Sequence, residues 1–87
     1  MVNVERNEQA LTAAACRAGR ALLQIGVREL AQEAGLSAET VTLFENGRPA
    51  RAATRSALAA AFARLGVELL NGDAPGARLH KPEAEAG

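Results

Sequence analysis

Arginine is the residue type in this chain best suited to a chemical task, and that task is binding phosphate. Between residues 17 and 64 the sequence has seven arginines against four glutamates, although the 87-residue chain has no formal net charge. Arg48, Arg51 and Arg55 follow closely on Asn46. Guanidinium groups bind phosphate oxygens through paired hydrogen bonds. The middle of the chain therefore favours contact with a polyanion, and the alternative is that these arginines are simply solvated.

Catalytic and metal-binding chemistry finds little support in the sequence. Cys16 and His80 are the single cysteine and the single histidine, so they cannot supply an internal disulfide or a structural zinc site. No nucleophile stands beside a base, no carboxylates pair at a plausible cleft, and no glycine-rich phosphate loop is present. We therefore expect a protein that is not an enzyme and that has no cofactor, metal or small-molecule ligand. Cys16 is expected to be a small packing residue rather than a redox switch.

Four segments of helical periodicity position these residues. Apolar residues recur at helical spacing in each segment, and capping residues or glycines mark the ends. The predicted helices span about residues 13–23, 27–34, 38–46 and 55–65, with N-caps at Thr12, Gly26, Ser37 and Thr54. Gly19 lies inside the first helix, where a small cost in stability is expected.

The periodicity changes after Gly66, and the remaining chain predicts a β-hairpin. Val67–Leu70 and Ala77–His80 alternate partially around a spacer rich in turn residues. The predicted fold class is therefore mainly α, with four helices and a short C-terminal β-hairpin. The expected organisation is a flexible arm at 1–10, a helical domain at 11–66, the hairpin at 67–81 and a flexible tail at 82–87.

The two short helices on either side of Gly35 are the most informative part of the sequence. Residues 27–46 read VRELAQEAGLSAETVTLFEN. A tight turn at Gly35 makes such helices cross steeply, small Ala31 lets them approach, and Leu36 and Val41 fill the space between them. The N-terminal half of the second helix then projects outward, where it can enter a DNA major groove.

This segment and its flanks resemble the Cro/CI-type helix-turn-helix regulators, which are also called lambda-repressor-like or XRE-family proteins. The likeness rests on the spacing of ELA, AG, LS, TV and FENG and on the proline that follows. It extends upstream through LTAAACRAGRALLQ and downstream through ATRSALAAAFARLGVELL and PGARLHKP, which is roughly residues 11 to 82. The resemblance implies a four-helix lambda-repressor-like domain that binds DNA.

The resemblance also implies roles for individual positions. The candidates for reading bases are the outward residues Ser37, Ala38, Glu39, Thr42 and Leu43. The candidates for holding phosphates are Arg28, Asn46, Arg48 and Arg51, with the amides near Gly47 and at the start of the second helix. The Glu39 carboxylate is suited to accept a hydrogen bond from a cytosine amino group, and the apolar side chain of Ala38 or Leu43 is suited to contact a thymine methyl group. Arg20 and Glu45 match the family's ion pair between the first and third helices.

Two positions carry a second interpretation, and two features depart from the pattern of the family. Glu39 is also favoured by the dipole of its own helix, and an exposed Leu43 also suits a protein interface. Val27 stands where many relatives have a glutamine that contacts a phosphate and braces the recognition helix. The outward face of the third helix has none of the Gln, Asn or Arg side chains that commonly pair with bases.

Taken together, the sequence predicts a transcriptional regulator. We expect a repressor that binds a two-fold-related operator in double-stranded DNA as a homodimer. The expected dimer contact is the terminal hairpin, through Val67, Leu69, Leu70 and Leu79. The alternative is a protein-interaction module, antiactivator or antitoxin-like, on the same fold without DNA binding. No membrane-length apolar run or signal peptide is evident, so we expect a cytoplasmic protein without a membrane partner.

Overall fold

A computed structural model describes residues 11–70 and 76–79 of the chain. In this part of the chain four α-helices precede a two-stranded antiparallel sheet. The elements are α1 (Ala13–Leu23), α2 (Val27–Ala34), α3 (Ala38–Glu45), α4 (Ala52–Arg64), β1 (Val67–Leu70) and β2 (Gly76–Leu79). The mainly helical fold with a terminal hairpin is thus confirmed. The predicted arm at 1–10, the tail at 82–87 and His80 lie outside the described residues.

Local hydrogen bonds account for the predicted helix starts. The Thr12 hydroxyl accepts the Ala15 N–H at 3.0 Å, and the Ser37 hydroxyl accepts the Thr40 N–H at 3.0 Å. Each bond satisfies an amide that a helix leaves unpaired in its first turn. Gly35 ends α2 with φ at 71°, a left-handed conformation that glycine adopts without steric cost. The chain therefore turns from α2 into α3 within three residues.

The predicted start of α4 is wrong. The helix begins at Ala52 after Arg51, which makes no side-chain capping bond, and Thr54 lies in the first turn. A polar cap stabilises a helix by only about 1 kcal/mol. Buried Leu58 and Phe62 give α4 a much larger hydrophobic stabilisation. The burial of these two side chains stabilises α4 as a whole, and the helix extends N-terminally past Thr54 without a side-chain cap.

The core draws on all four helices and the hairpin. Its largest fully buried side chains are Leu11, Cys16, Leu30, Val41, Leu58, Phe62 and Leu69. In the hairpin, Val67 pairs with Leu79 and Leu69 with Ala77. Alternation along a strand puts these pairs on one face of the sheet, and that face lies against the helices, since α1 packs on β2 and α4 packs on β1.

This register corrects the predicted dimer contact. Val67 is 2% exposed and Leu69 is fully buried, so both side chains belong to the core of their own chain and are not offered to a partner. Leu79, at the margin of the same face, is 51% exposed. Leu70 lies on the opposite face and is half-buried. Of the four residues predicted for the dimer contact, Leu70 and Leu79 are the two whose side chains remain accessible.

Gly19 has a packing role that the sequence did not reveal. It is buried in α1, and a Cβ atom at this position would lie 2.6 Å from Cε1 of Phe62 in α4. That distance is far below van der Waals contact, so the ring occupies the space of the missing side chain. The glycine is therefore required by the close approach of α1 to Phe62.

We predict that Gly19→Ala destabilises the protein by about 1–3 kcal/mol through overpacking, although alanine is the better helix former. Urea unfolding followed by circular dichroism measures the change. Phe62→Leu removes the ring atoms that the new methyl group would meet, so Gly19→Ala should cost less in that background. A Gly19→Ala variant as stable as the parent protein would contradict this account of the packing.

Candidate nucleic-acid interface

The last residue of α3 is held by a buried ion pair. The Glu45 side chain is only 6% exposed, although it carries a charge. Arg20, from α1, donates from Nε to Glu45 Oε2 at 2.8 Å and from Nη2 to Oε1 at 2.8 Å. The structure thus contains the Arg20–Glu45 pair that the sequence predicted, in the two-bond geometry that suits guanidinium and carboxylate groups.

Two further residues of α1 bind Glu45, and the sequence did not assign them this role. Cys16 Sγ donates to Glu45 Oε2 at 3.1 Å, and Arg17 Nη1 donates to the backbone carbonyl of Glu45 at 2.6 Å. That carbonyl is one of those that a helix leaves unpaired at its C-terminus. The sequence did contain a signal for Cys16. It lies four residues before Arg20, and residues four apart share a helix face, so both could have been expected to meet Glu45.

The ionisation of this cluster follows from its geometry. Burial alone would raise the pKa of Glu45, but hydrogen bonds from Arg20 and Cys16 and the nearby arginine charges outweigh it, so the pKa lies below the ordinary value. Burial, followed by the hydrogen bond to Glu45, raises the pKa of the Cys16 thiol well above its usual range. The thiol is therefore a protonated donor, as its hydrogen bond requires.

The contacts of Glu45 hold the C-terminal end of α3, and the helix presents one exposed face. Glu39, Thr42 and Leu43 are exposed, as the sequence predicted for residues that read bases. Ser37 is also exposed, but its hydroxyl is engaged with the amide and the hydroxyl of Thr40. Ala38 is half-buried and packs against the core. The side chains best placed to meet a partner are therefore those of Glu39, Thr42 and Leu43.

The arginines divide into two groups, of which the first has structural contacts. Arg17 and Arg20 bind Glu45, as described above. Arg55 donates to the Leu11 carbonyl at 3.0 Å and lies 5.9 Å from the centre of the Phe44 ring. The two remaining members are Arg64, which donates to the Glu33 carbonyl and pairs with its carboxylate, and Arg78, which pairs with Glu68.

The second group consists of Arg28, Arg48 and Arg51. All three are exposed, and their side chains make no hydrogen bond or ion pair with any residue in the described ranges. They are three of the arginines that the sequence singled out for phosphate, whereas Arg55 of the same cluster is engaged with Leu11 and Phe44. Long cationic side chains without protein partners remain available to an anionic ligand.

These three arginines lie on both flanks of α3. Arg28 lines a cleft with Leu36 and Ala38, at the start of α3. Arg48 and Arg51 line a second cleft with residues of α3 that include Leu43. The exposed face of α3 is thus bordered by cations at its N-terminal end and along its C-terminal half.

The backbone amides predicted to assist them are already engaged. The Gly47 N–H donates to the Phe44 carbonyl at 3.0 Å, and the Arg48 N–H donates to the Leu43 carbonyl at 3.0 Å. At the start of α2, the Gly26 N–H donates to the Glu29 carboxylate at 2.5 Å. The amides near Gly47 thus complete the end of α3, and at the start of α2 the Glu29 carboxylate lies beside the amide of Gly26.

The Asn46 amide is engaged as well, since its N–H donates to the carbonyls of Thr42 and Leu43. Its side chain is exposed beside Gly47. The groups at this end of α3 that remain open to an anionic ligand are therefore the side chains of Asn46, Arg48 and Arg51.

Other kinds of site find no support in the described ranges. No three His, Cys, Asp or Glu residues come together there in a group able to hold a metal ion. No helix in those ranges has the length and apolar character needed to cross a membrane. Comparisons with protein-family models, with curated proteins and with solved structures find no match for this chain.

We predict that Glu45→Gln removes an acid-sensitive part of the stability. Because the pKa of Glu45 is lower in the folded chain, the unfolded chain binds more protons below the ordinary value of 4.5. The free energy of unfolding therefore falls as the pH drops from about 4.5 through the folded-state pKa. This component should disappear in Glu45→Gln, which should also cost about 2–4 kcal/mol at neutral pH by leaving Arg20 uncompensated.

Urea unfolding between about pH 7 and about pH 3 tests this linkage. Glu39→Gln is the matched control, since it removes an exposed carboxylate from the same helix and should keep the acid dependence of the parent protein. If Glu45→Gln and the parent lost stability in parallel on acidification, the ion pair would not be the source of the acid sensitivity.

Proposed function

We propose that this chain is a sequence-specific DNA-binding regulator of the Cro/CI helix-turn-helix type, acting as a repressor. One observation carries the proposal: the three arginines without protein partners border the exposed face of α3 on both flanks. The major groove of B-DNA accepts an α-helix between two rows of phosphates. A projecting helix with cations on either side matches that arrangement of charge.

The rigid attachment of α3 supports the same function. Base recognition requires side chains held in a defined position relative to the phosphate contacts. Arg20, Arg17 and Cys16 all bind Glu45 at the end of α3, and Ser37 caps its start. Both ends of the helix are therefore restrained while its outer face stays open.

The zero net charge of the chain is compatible with this proposal. Part of the positive charge is neutralised within the chain, since Arg20 pairs with buried Glu45, and Arg64 and Arg78 pair with glutamates at the surface. What matters for DNA is the charge near the contact surface. Glu39 is the one acidic side chain on the exposed face of α3, and it suits a cytosine amino group better than a phosphate.

We further propose that two copies bind a two-fold-related operator. A single α3 of eight residues covers only a few base pairs, and dimers of such domains place their recognition helices about 34 Å apart. Leu79, which is 51% exposed on β2, is the central residue of the proposed dimer contact. Half-buried Leu70 lies on the opposite face of the hairpin, where it pairs with Gly76, and is peripheral to this contact.

A protein-interaction module is the second candidate, and the character of α3 favours it. Its exposed face combines an apolar Leu43, 40% exposed, with Glu39 and without any cation on the helix itself. Such a surface also suits a protein partner. The two candidates differ in whether the full chain binds any DNA duplex at all.

We predict that the full chain enriches a binding sequence from a pool of randomised DNA duplexes. On the enriched duplex, Arg48→Ala and Arg51→Ala should each lower the affinity about tenfold, by similar factors on related sequences. Each should also reduce the salt dependence of log K by about 0.9. Fluorescence anisotropy titrations at several salt concentrations measure both effects.

Arg78→Ala is the matched control, because Arg78 is exposed but pairs with Glu68 in the hairpin; its affinity and salt dependence should equal those of the parent. If the folded chain enriched no sequence and bound no duplex at low salt, the regulator proposal would fail and the protein-interaction module would replace it.

We predict that Leu79→Glu converts a dimer into a folded monomer, because it buries a charge in the proposed apolar contact. Sedimentation velocity and circular dichroism measure mass and folding together. Leu22→Glu is the control, since Leu22 is an exposed leucine of α1, and this variant should remain dimeric. Dissociation by Leu22→Glu alone would place the dimer contact on α1 instead.

A further inference from the structure

Leu43 is an exposed apolar side chain among cations. It is one of three large hydrophobic residues, with Leu22 and Leu79, that are substantially exposed in the described ranges. Of these three, only Leu43 lines the cleft that Arg48 and Arg51 also line. An anion held by either guanidinium would therefore bring the rest of its molecule against Leu43.

The α3 side of this cleft has little hydrogen-bonding capacity left. The Thr40 hydroxyl is already paired with the Ser37 hydroxyl at 2.7 Å. The carbonyl of Leu43 accepts from Asn46 and Arg48, and Phe44 adds an aromatic ring. What α3 offers here is chiefly apolar surface.

We infer that this cleft reads the C5-methyl group of a thymine and that Leu43 is the specificity-determining residue. The inference rests on the proposed DNA-binding function. In the major groove the only apolar group on a base edge is the thymine methyl group. It lies at the outer edge of the groove, near the phosphates of its own strand, so one cleft can hold the phosphate at Arg48 or Arg51 and the methyl group at Leu43.

Ala38 is the other apolar residue near this face, and it is less suited to the role. Its side chain is half-buried and packs against the core, on the flank of α3 that carries Arg28. Leu43 is more exposed and presents a larger apolar surface. The inference therefore assigns the methyl contact to the C-terminal half of α3.

Deoxyuridine provides the test, because it differs from thymidine only by the missing methyl group and pairs normally with adenine. The full chain first enriches a duplex from a randomised pool, and each thymine of that duplex is then replaced singly by deoxyuridine. We expect one thymine in each half-site whose replacement weakens binding about fourfold, the factor that corresponds to burial of one methyl-sized group. In Leu43→Ala the same replacement should change the affinity by less than about 1.5-fold.

Leu22→Ala is the matched control, since Leu22 is 39% exposed and Leu43 is 40% exposed; it should keep the fourfold response. Circular dichroism establishes that both variants are folded. If the enriched duplex is bound but no thymine responds to deoxyuridine, or if Leu43→Ala keeps the full response, the inference is overturned while the regulator proposal stands. If no duplex is enriched, both fail.

Discussion

A single buried carboxylate organises the surface that this protein offers to a partner. Glu45 ends α3, and three neighbouring positions of α1 bind it through a guanidinium pair, a thiol and a contact to its carbonyl. Removing a charge from water is costly, and these hydrogen bonds offset that cost only in one arrangement of the two helices. The orientation of α3 relative to α1 is thereby defined by an interaction that tolerates little displacement.

The contacts of the other cations likewise determine which of them can bind a ligand. A guanidinium that binds a backbone carbonyl or pairs with a carboxylate is less available to a ligand, and five described arginines are engaged in these ways. Among the arginines in the described ranges, Arg28, Arg48 and Arg51 lack such contacts. A count of arginines along the sequence therefore overstates the number that can bind an anion. The contacts of each side chain show which arginines remain available and where they lie.

Much of the fold could be predicted from the sequence because its signals are local. Thr12, Ser37 and Gly35 mark helix ends through their own hydrogen bonds and backbone preferences, and alternation in Val67–Leu70 indicates a strand. What could not be predicted depends on contacts between distant residues. The tight contact of Gly19 with Phe62 and the bonds of Cys16 and Arg17 to Glu45 required the assembled structure.

The inward-facing hairpin has a consequence for how the chain can fold during synthesis. Because α1 packs on β2, a helix near the start of the described residues lies against the strand at their end, and Val67 and Leu69 fill a core that the helices alone leave open. The boundary near residue 66 separates two kinds of secondary structure but not two folding units. The nascent helices must wait for the strands before their core can close, and a graft of this domain onto another protein must carry both strands with it.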